Sequence, residues 1–213
     1  MGRLKILLVD DHAVVRSGLR RLLEINNSMD VVAEADSGEA AYQLYGEVNP
    51  DIVIMDISMP GMGGIESAKR ILQRYSHAKI IIFSMHEAVS FASQALKTGV
   101  KGFVTKNGMA EDLLHAVLDV SKGKTFLSAG IAQKIALQTL IGDDDPMHQL
   151  STREFEVFRL LAEGKRVEEV ADMLKISQKT VANYYTIIKQ KLGVSSPVEM
   201  VRLAMKHGLI VGN

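Results

Sequence analysis

Five short apolar runs separated by amphipathic stretches fill the first half of the chain and limit its folds more than any other feature. They read KILLV (5–9), DVVAEA (30–35), DIVIM (51–55), KIIIFS (79–84) and KGFVT (101–105). Between them apolar residues recur at helical spacing, as at Val15, Leu19, Leu22 and Leu23. A strand covered on both faces has no need of polar alternation. Continuous apolar strands joined by helices therefore predict a parallel sheet with helices on either side. Five such βα units make a doubly wound α/β domain with a five-stranded parallel sheet. Its ligand site is expected at the carboxyl ends of the strands.

The remainder reads differently. Ser128 to Leu140 has the pattern of one more helix, and IGDDDPMHQ (141–149) then combines glycine, an acidic run and proline, the signals of a boundary. Asp143, Asp144 and Asp145 are read as a solvated linker rather than a metal site, because no further ligands have the necessary spacing. Beyond it everything is helical. STRE (151–154) is a capping box opening a helix through Ala162 that stops at Gly164. A short helix over 167–174, a turn over 175–177 and a longer helix over 178–192 spell helix-turn-helix. A fourth helix starts near Pro197, a residue favoured in a first turn, and runs to His207. The expected organisation is an α/β domain over 1–124, a linker with a helix over 125–147, and an all-α four-helix domain over 148–213.

Charge follows the same division. The chain is neutral overall, with 25 Lys and Arg against 25 Asp and Glu in 213 residues. Residues 148–213 nevertheless hold 10 basic and 7 acidic side chains, a net of +3, which points weakly to nucleic acid. There is no cysteine, so disulfides and thiolate metal sites are excluded. No apolar run approaches the ~20 residues of a membrane span. The N-terminal MGRLKILLVDDH runs straight into Asp10 and Asp11 and is no signal peptide, so a cytoplasmic location is expected.

The first candidate site lies where the strands end. Strand one ends LLVDDH and strand three ends IVIMD, so Asp10, Asp11 and Asp56 emerge at one sheet edge if those strands are neighbours, as in the flavodoxin-like order. Three carboxylates together repel one another unless a hard cation binds them, and magnesium suits oxygen donors of this kind. Lys106 follows strand five and Ser84 ends strand four. A nucleophilic carboxylate, a magnesium ion and a lysine suit phosphoryl transfer to form an aspartyl phosphate. Taken singly each residue has a plainer reading: Asp11 as a helix N-cap, Asp56 as a turn residue before Pro60, Lys106 as solvated, Ser84 as a strand end. Their joint placement at four strand ends favours the site.

The segments LLVDDH, PDIVIMDISMPGMGG, IIIFS and GFVTK resemble the receiver domain of two-component response regulators over about residues 1–124. The resemblance implies that Asp56 accepts a phosphoryl group from a sensor histidine kinase or a small phosphodonor. It also implies that Asp10, Asp11 and Asp56, with the backbone carbonyl of Ser58, hold Mg2+. Lys106 would contact the phosphoryl group, Ser84 would swing to hydrogen-bond it, and Phe103 would turn inward. Asn107 stands where many receivers have proline.

Residues 150–210, with LSTRE, ISQKTV and KLGV, resemble the LuxR-type DNA-binding domain, and the whole chain resembles a NarL/FixJ-family regulator. The helix from Gln178, capped by Ser177, is then the one that enters the major groove of promoter DNA. Val181, Tyr185, Ile188 and Leu192 have core spacing. Lys179, Thr180, Ala182, Asn183, Tyr184 and Thr186 are the expected DNA contacts, Asn183 suiting adenine. Of the lysines, Lys179, Lys189 and Lys191 are expected on phosphates. The family usually has lysine in place of Ala182, histidine in place of Tyr184 and a basic or polar residue in place of Glu168, so a greater reliance on homodimers is expected. Tyr184 and Tyr185 each have a core reading as the alternative. The last helix carries Val198, Met200, Val201, Leu203, Ala204 and Met205, part core and part candidate dimer contact.

The leading expectation is a phosphorylation-switched transcription factor, not an enzyme. A phosphatase of the haloacid-dehalogenase kind would want a second aspartate two residues after Asp56, where this chain has Ser58. A protein-binding adaptor that no longer reads DNA is the other alternative, motivated by Ala182 and Glu168.

Overall fold

The computed structural model describes residues 2–25, 28–141 and 145–210. By their contacts they sort into two units, residues 1–85 with 95–129 and residues 86–94 with 130–213.

In the first unit the apolar runs become parallel strands: β1 (Leu4–Val9), β2 (Met29–Ala35), β3 (Ile52–Met55), β4 (Ile80–Ser84) and β5 (Gly102–Thr105). These five run in the order β2-β1-β3-β4-β5, so β1 and β3 are neighbours. The sixth strand corrects the five-stranded expectation. It is β6 (Phe126–Leu127), paired in parallel with β5 through Gly102 and Phe103. Two residues are too few to show a period, so nothing in their pattern marks them as a strand.

The lack of alternation in the strands has its cause in double coverage. Ile6 and Leu8 of β1 and Ile52 and Ile54 of β3 pack with Leu19 and Leu23 of α1 (Ala13–Ile25) and with Leu113, Ala116, Val117 and Val120 of α5 (Ala110–Ser121). The intervening Leu7, Val9, Val53 and Met55 point to the other side and are buried as well. Buried residues of α2 (Gly38–Val48) and α3 (Gly64–Arg74), among them Ala41, Tyr45, Ile65, Ala68 and Ile71, belong to this unit too. α4 spans Val89–Lys97.

The second unit is helical. α6 (Ala129–Ile141) begins one residue later than the pattern of Ser128–Leu140 indicates. A 3₁₀ turn (Pro146–Gln149) leads into α7 (Thr152–Ala162), α8 (Val167–Leu174), α9 (Gln178–Leu192) and α10 (Pro197–Lys206). The capping box is present: Ser151 Oγ accepts from Glu154 N, and Glu154 Oε2 accepts from Ser151 N at 2.7 Å. Ser177 Oγ caps α9, accepting from Thr180 N at 3.1 Å. Phe91, Phe155, Phe158, Val170, Leu174, Val181, Ile188 and Met200 are buried here, with Phe91 and Phe155 edge to face at 5.1 Å.

The solvated reading of the acidic linker is corrected at one position; Asp143 and Asp144 lie outside the described residues. Asp145 is 2% exposed. Its carboxylate accepts from Ser90 Oγ at 2.6 Å and from Met147 N at 3.0 Å, and stands 3.2 Å from His207 Nδ1. A carboxylate so buried persists because its oxygens are satisfied.

Candidate functional site

The register of β1 against β3 pairs Val9 with Met55, so the residues that follow, Asp10 and Asp56, leave the sheet side by side. Asp56 N donates to Val9 O at 2.9 Å, locking the two strand ends together. Both carboxylates are nearly inaccessible, Asp10 at 1% and Asp56 at 4% exposure. Two like charges buried together need a counter-charge. Lys106 supplies it: its ammonium lies 2.6 Å from Asp10 Oδ2 and 2.9 Å from Asp56 Oδ1. The backbone holds Lys106 in place, since its N–H donates to Ser84 O at 2.8 Å.

The remaining oxygens are bound locally. Asp56 Oδ2 accepts from Ser58 N at 3.1 Å, and Asp10 Oδ1 accepts from His12 N at 2.8 Å. Burial pushes the Asp56 carboxyl above the usual carboxylate range, against the opposing pull of Lys106. Burial lowers Lys106, but its bonds and charges with Asp10 and Asp56 outweigh this and hold the ammonium above its ordinary value.

Two carboxylates share one ammonium, which leaves negative charge for a cation to balance. Asp11 adds to it. Its Oδ1 is buried yet accepts no hydrogen bond, although His12 Nδ1 stands 2.9 Å away. Ligand atoms of Asp10, Asp11 and His12 lie within 4.8 Å of one another, close enough to hold a metal ion. The set is mainly hard oxygen, as a divalent cation such as magnesium prefers.

Ser84 ends β4 and is fully buried, as is Phe103 on β5. Ser84 pairs in register with Thr105, directly before Lys106. The site thus gathers Asp10, Asp56 and Lys106 in direct contact, with Asp11 and Ser58 adjoining. Three supports have no counterpart in the sequence pattern. Arg16 Nη1 donates to Asp10 O at 2.6 Å, and Ser128 Oγ accepts from Thr105 N at 3.1 Å. Gly64 is the third; its lack of a side chain admits the carbonyl of Asp56. A helical arginine or an isolated serine carries no signal of such a partner.

The second candidate site is the outer face of α9. Val181 and Ile188 point into the unit and are buried, whereas Lys179, Ala182, Asn183 and Thr186 are exposed on the opposite side. Thr180, Tyr184, Tyr185 and Lys189 are half-buried, so Tyr185 and Leu192 lie at the edge of the core rather than in it. Lys189 Nζ sits over the Tyr185 ring at 5.6 Å from its centre. Thr186 Oγ1 donates to Ala182 O at 3.1 Å, and Thr180 Oγ1 lies 2.8 Å from Ser177 Oγ. Lys191 pairs with the buried Glu154 at 2.6 Å. Glu168 on α8 is exposed.

Comparison with known proteins finds relatives over both parts of the chain. The family model described as response regulator receiver domain matches residues 6–118, and that of bacterial regulatory proteins of the luxR family matches residues 148–204. The response regulator GacA of Pseudomonas aeruginosa is 35% identical over 97% of this chain and 98% of its own length. The response regulator UvrY of Escherichia coli K12 is 34% identical over 97% and 95%. Among solved structures, RcsB of Salmonella typhimurium superposes with a TM-score of 0.77 at 27% identity, covering 98% of this chain and 100% of that one. RcsB bound to the promoter P1flhDC in the presence of phosphomimetic BeF3- gives 0.73 at 28% identity, covering 96% and 100%. No helix among the described residues is long and apolar enough to cross a membrane.

Proposed function

The chain belongs to the response regulators that join a receiver domain to a LuxR-type DNA-binding domain, and we propose that Asp56 is its phosphoacceptor. Regulators of this family control transcription and are not enzymes. The reading that follows is of this chain's own residues. An Asp56 carboxylate oxygen attacks phosphorus while the bond from phosphorus to the donor histidine of a sensor kinase breaks, and that nitrogen takes up a proton. Lys106 stabilises the charge on the phosphoryl oxygens. Ser84 turns to hydrogen-bond one of them, and Phe103 repacks with it. Asp10, Asp11, Asp56 and the carbonyl of Ser58 would hold Mg2+, which would supply positive charge to offset that of the transferring group. The unbonded, buried Asp11 oxygen supports that assignment.

The receiver extends over 1–124, the linker over 125–147 and the DNA-binding domain over 148–213. Its α9 lies in the major groove of promoter DNA, with Lys179, Asn183, Thr186 and Lys189 toward bases and phosphates and Thr180, Ala182, Tyr184 and Lys191 beside them. Val198 and Met205 of α10 are 60% and 44% exposed, which supports this helix as the contact between two copies on a two-fold site. The protein acts in the cytoplasm.

The observation that carries the receiver reading is the Lys106 ammonium held between Asp10 and Asp56. The test is consumption of a small phosphodonor combined with retardation of genomic DNA fragments in gels. One equivalent is consumed per chain and DNA retardation increases, and neither occurs with Asp56→Asn. Catalytic consumption supports a phosphatase instead. Absence of retardation under every condition supports the adaptor.

A further inference from the structure

The outer face of α9 carries an isoleucine that none of the roles above uses. Ile187 is 38% exposed, while its neighbour Ile188 is fully buried. A lone exposed isoleucine on an arbitrary surface needs no explanation. What distinguishes Ile187 is its company. It lies four residues after Asn183, hence one turn away and about 6 Å along the axis, on the same exposed face as Ala182, Asn183 and Thr186.

The hydroxyls near that face already have partners, Thr186 with Ala182 O and Thr180 with Ser177. Between Asn183 and Ile187 the outward groups are therefore the Asn183 amide and the hydrocarbon of Ala182 and Ile187, the exposed Lys179 lying one turn before Asn183. A surface of this kind is poorly matched to guanine, whose major-groove edge offers two acceptors and calls for Arg or Lys. It matches an A·T pair, which offers adenine N6 and N7 to an amide and the thymine C5-methyl to an apolar side chain.

We propose that Ile187 is a specificity residue that packs against the C5-methyl of a thymine in the major groove. Its spacing from Asn183, about 6 Å against a rise of roughly 3.4 Å per base pair, places that thymine one or two base pairs from the adenine read by Asn183. The inference rests on α9 being the groove helix and adds which bases it prefers.

The test uses the full chain in the presence of acetyl phosphate. A preferred duplex is first selected from a random pool and then resynthesised with uracil for every thymine, which removes only the C5-methyl groups. The wild-type protein binds the uracil duplex roughly four-fold more weakly for each methyl group it no longer covers, the worth of one buried methyl. Ile187→Ala is weakened to a similar degree on the thymine duplex and shows a correspondingly smaller further loss on uracil. Ile187→Val keeps most of the wild-type sensitivity. Because the side chain is partly exposed, an unchanged melting temperature confirms that each variant is folded. Equal uracil sensitivity in wild type and Ile187→Ala, or none in either, overturns the inference while leaving the groove helix intact. Recovery of no preferred sequence overturns the groove helix itself and the inference with it.

Discussion

A Cβ placed on Gly64 would lie 1.8 Å from the backbone carbonyl oxygen of Asp56. The first turn of α3 thus runs against the peptide that carries the proposed phosphoacceptor, and Gly64 N donates to Ile57 O at 2.9 Å to hold it there. Backbone cannot yield as a flexible side chain does. Gly64→Ala should destabilise the α/β unit by about 3 kcal/mol through overpacking and depress phosphorylation. Urea unfolding and phosphodonor uptake check it; wild-type behaviour in both contradicts the close approach.

Asp56 itself should cost stability. Its folded pKa is raised by burial, so the folded state favours the protonated form, and stability falls as pH rises through that value. Asp56→Asn removes this ionisation. The variant should melt higher than wild type at pH 7, by the equivalent of about 1 kcal/mol, and the gap should close at pH 4. Calorimetry across that range decides; a variant less stable at pH 7 with a pH-independent gap contradicts the burial argument.

Lys106 is the counter-charge of two buried carboxylates. Lys106→Ala should cost about 3–5 kcal/mol at pH 7, because it leaves those charges unpaired, and less in acid, where the raised Asp56 carboxyl protonates. Denaturant unfolding at pH 7 and pH 5 measures the difference. Equal losses at both values contradict the ion triad.

The Lys191–Glu154 pair should give the helical unit an acid-sensitive stability. Burial raises the Glu154 carboxyl, but the bonds from Lys191 and from Ser151 outweigh it, and the net folded value lies below the usual carboxylate range. A depressed folded pKa contributes stability that is present above the unfolded value of roughly 4.3 and is lost as pH falls through the folded one. Glu154→Gln should lower the melting temperature at pH 7 and flatten its fall between pH 5 and pH 3. A variant with the wild-type acid slope contradicts this.

The triad is legible in the sequence because each member ends a strand and belongs to a chemically telling type. Asp10, Asp56 and Lys106 are spread over the chain but follow the first, third and fifth strands at equivalent places, and topology alone brings them together. Helix bounds are readable from caps: Ser151, Ser177 and Pro197 mark starts that the structure keeps. What stays hidden depends on partners far off in the chain. The Asp145 carboxylate reads as solvated because its partners, Ser90 and His207, stand in other elements. The Lys191–Glu154 pair is hidden because Glu154, 37 residues earlier, has the signature of a capping residue and gives no hint that it also binds an amine. Pattern reports faces and ends of elements, not which side chains meet across them.

The most direct measurement is a map of the phosphoryl group. The full chain is incubated with acetyl phosphate and magnesium, reduced with borohydride to trap acyl phosphates, digested and analysed by mass spectrometry. The account predicts a single trapped residue, Asp56, lost when the metal is chelated. A trapped group on Asp10 or Asp11, or uptake that persists in Asp56→Asn, would contradict it.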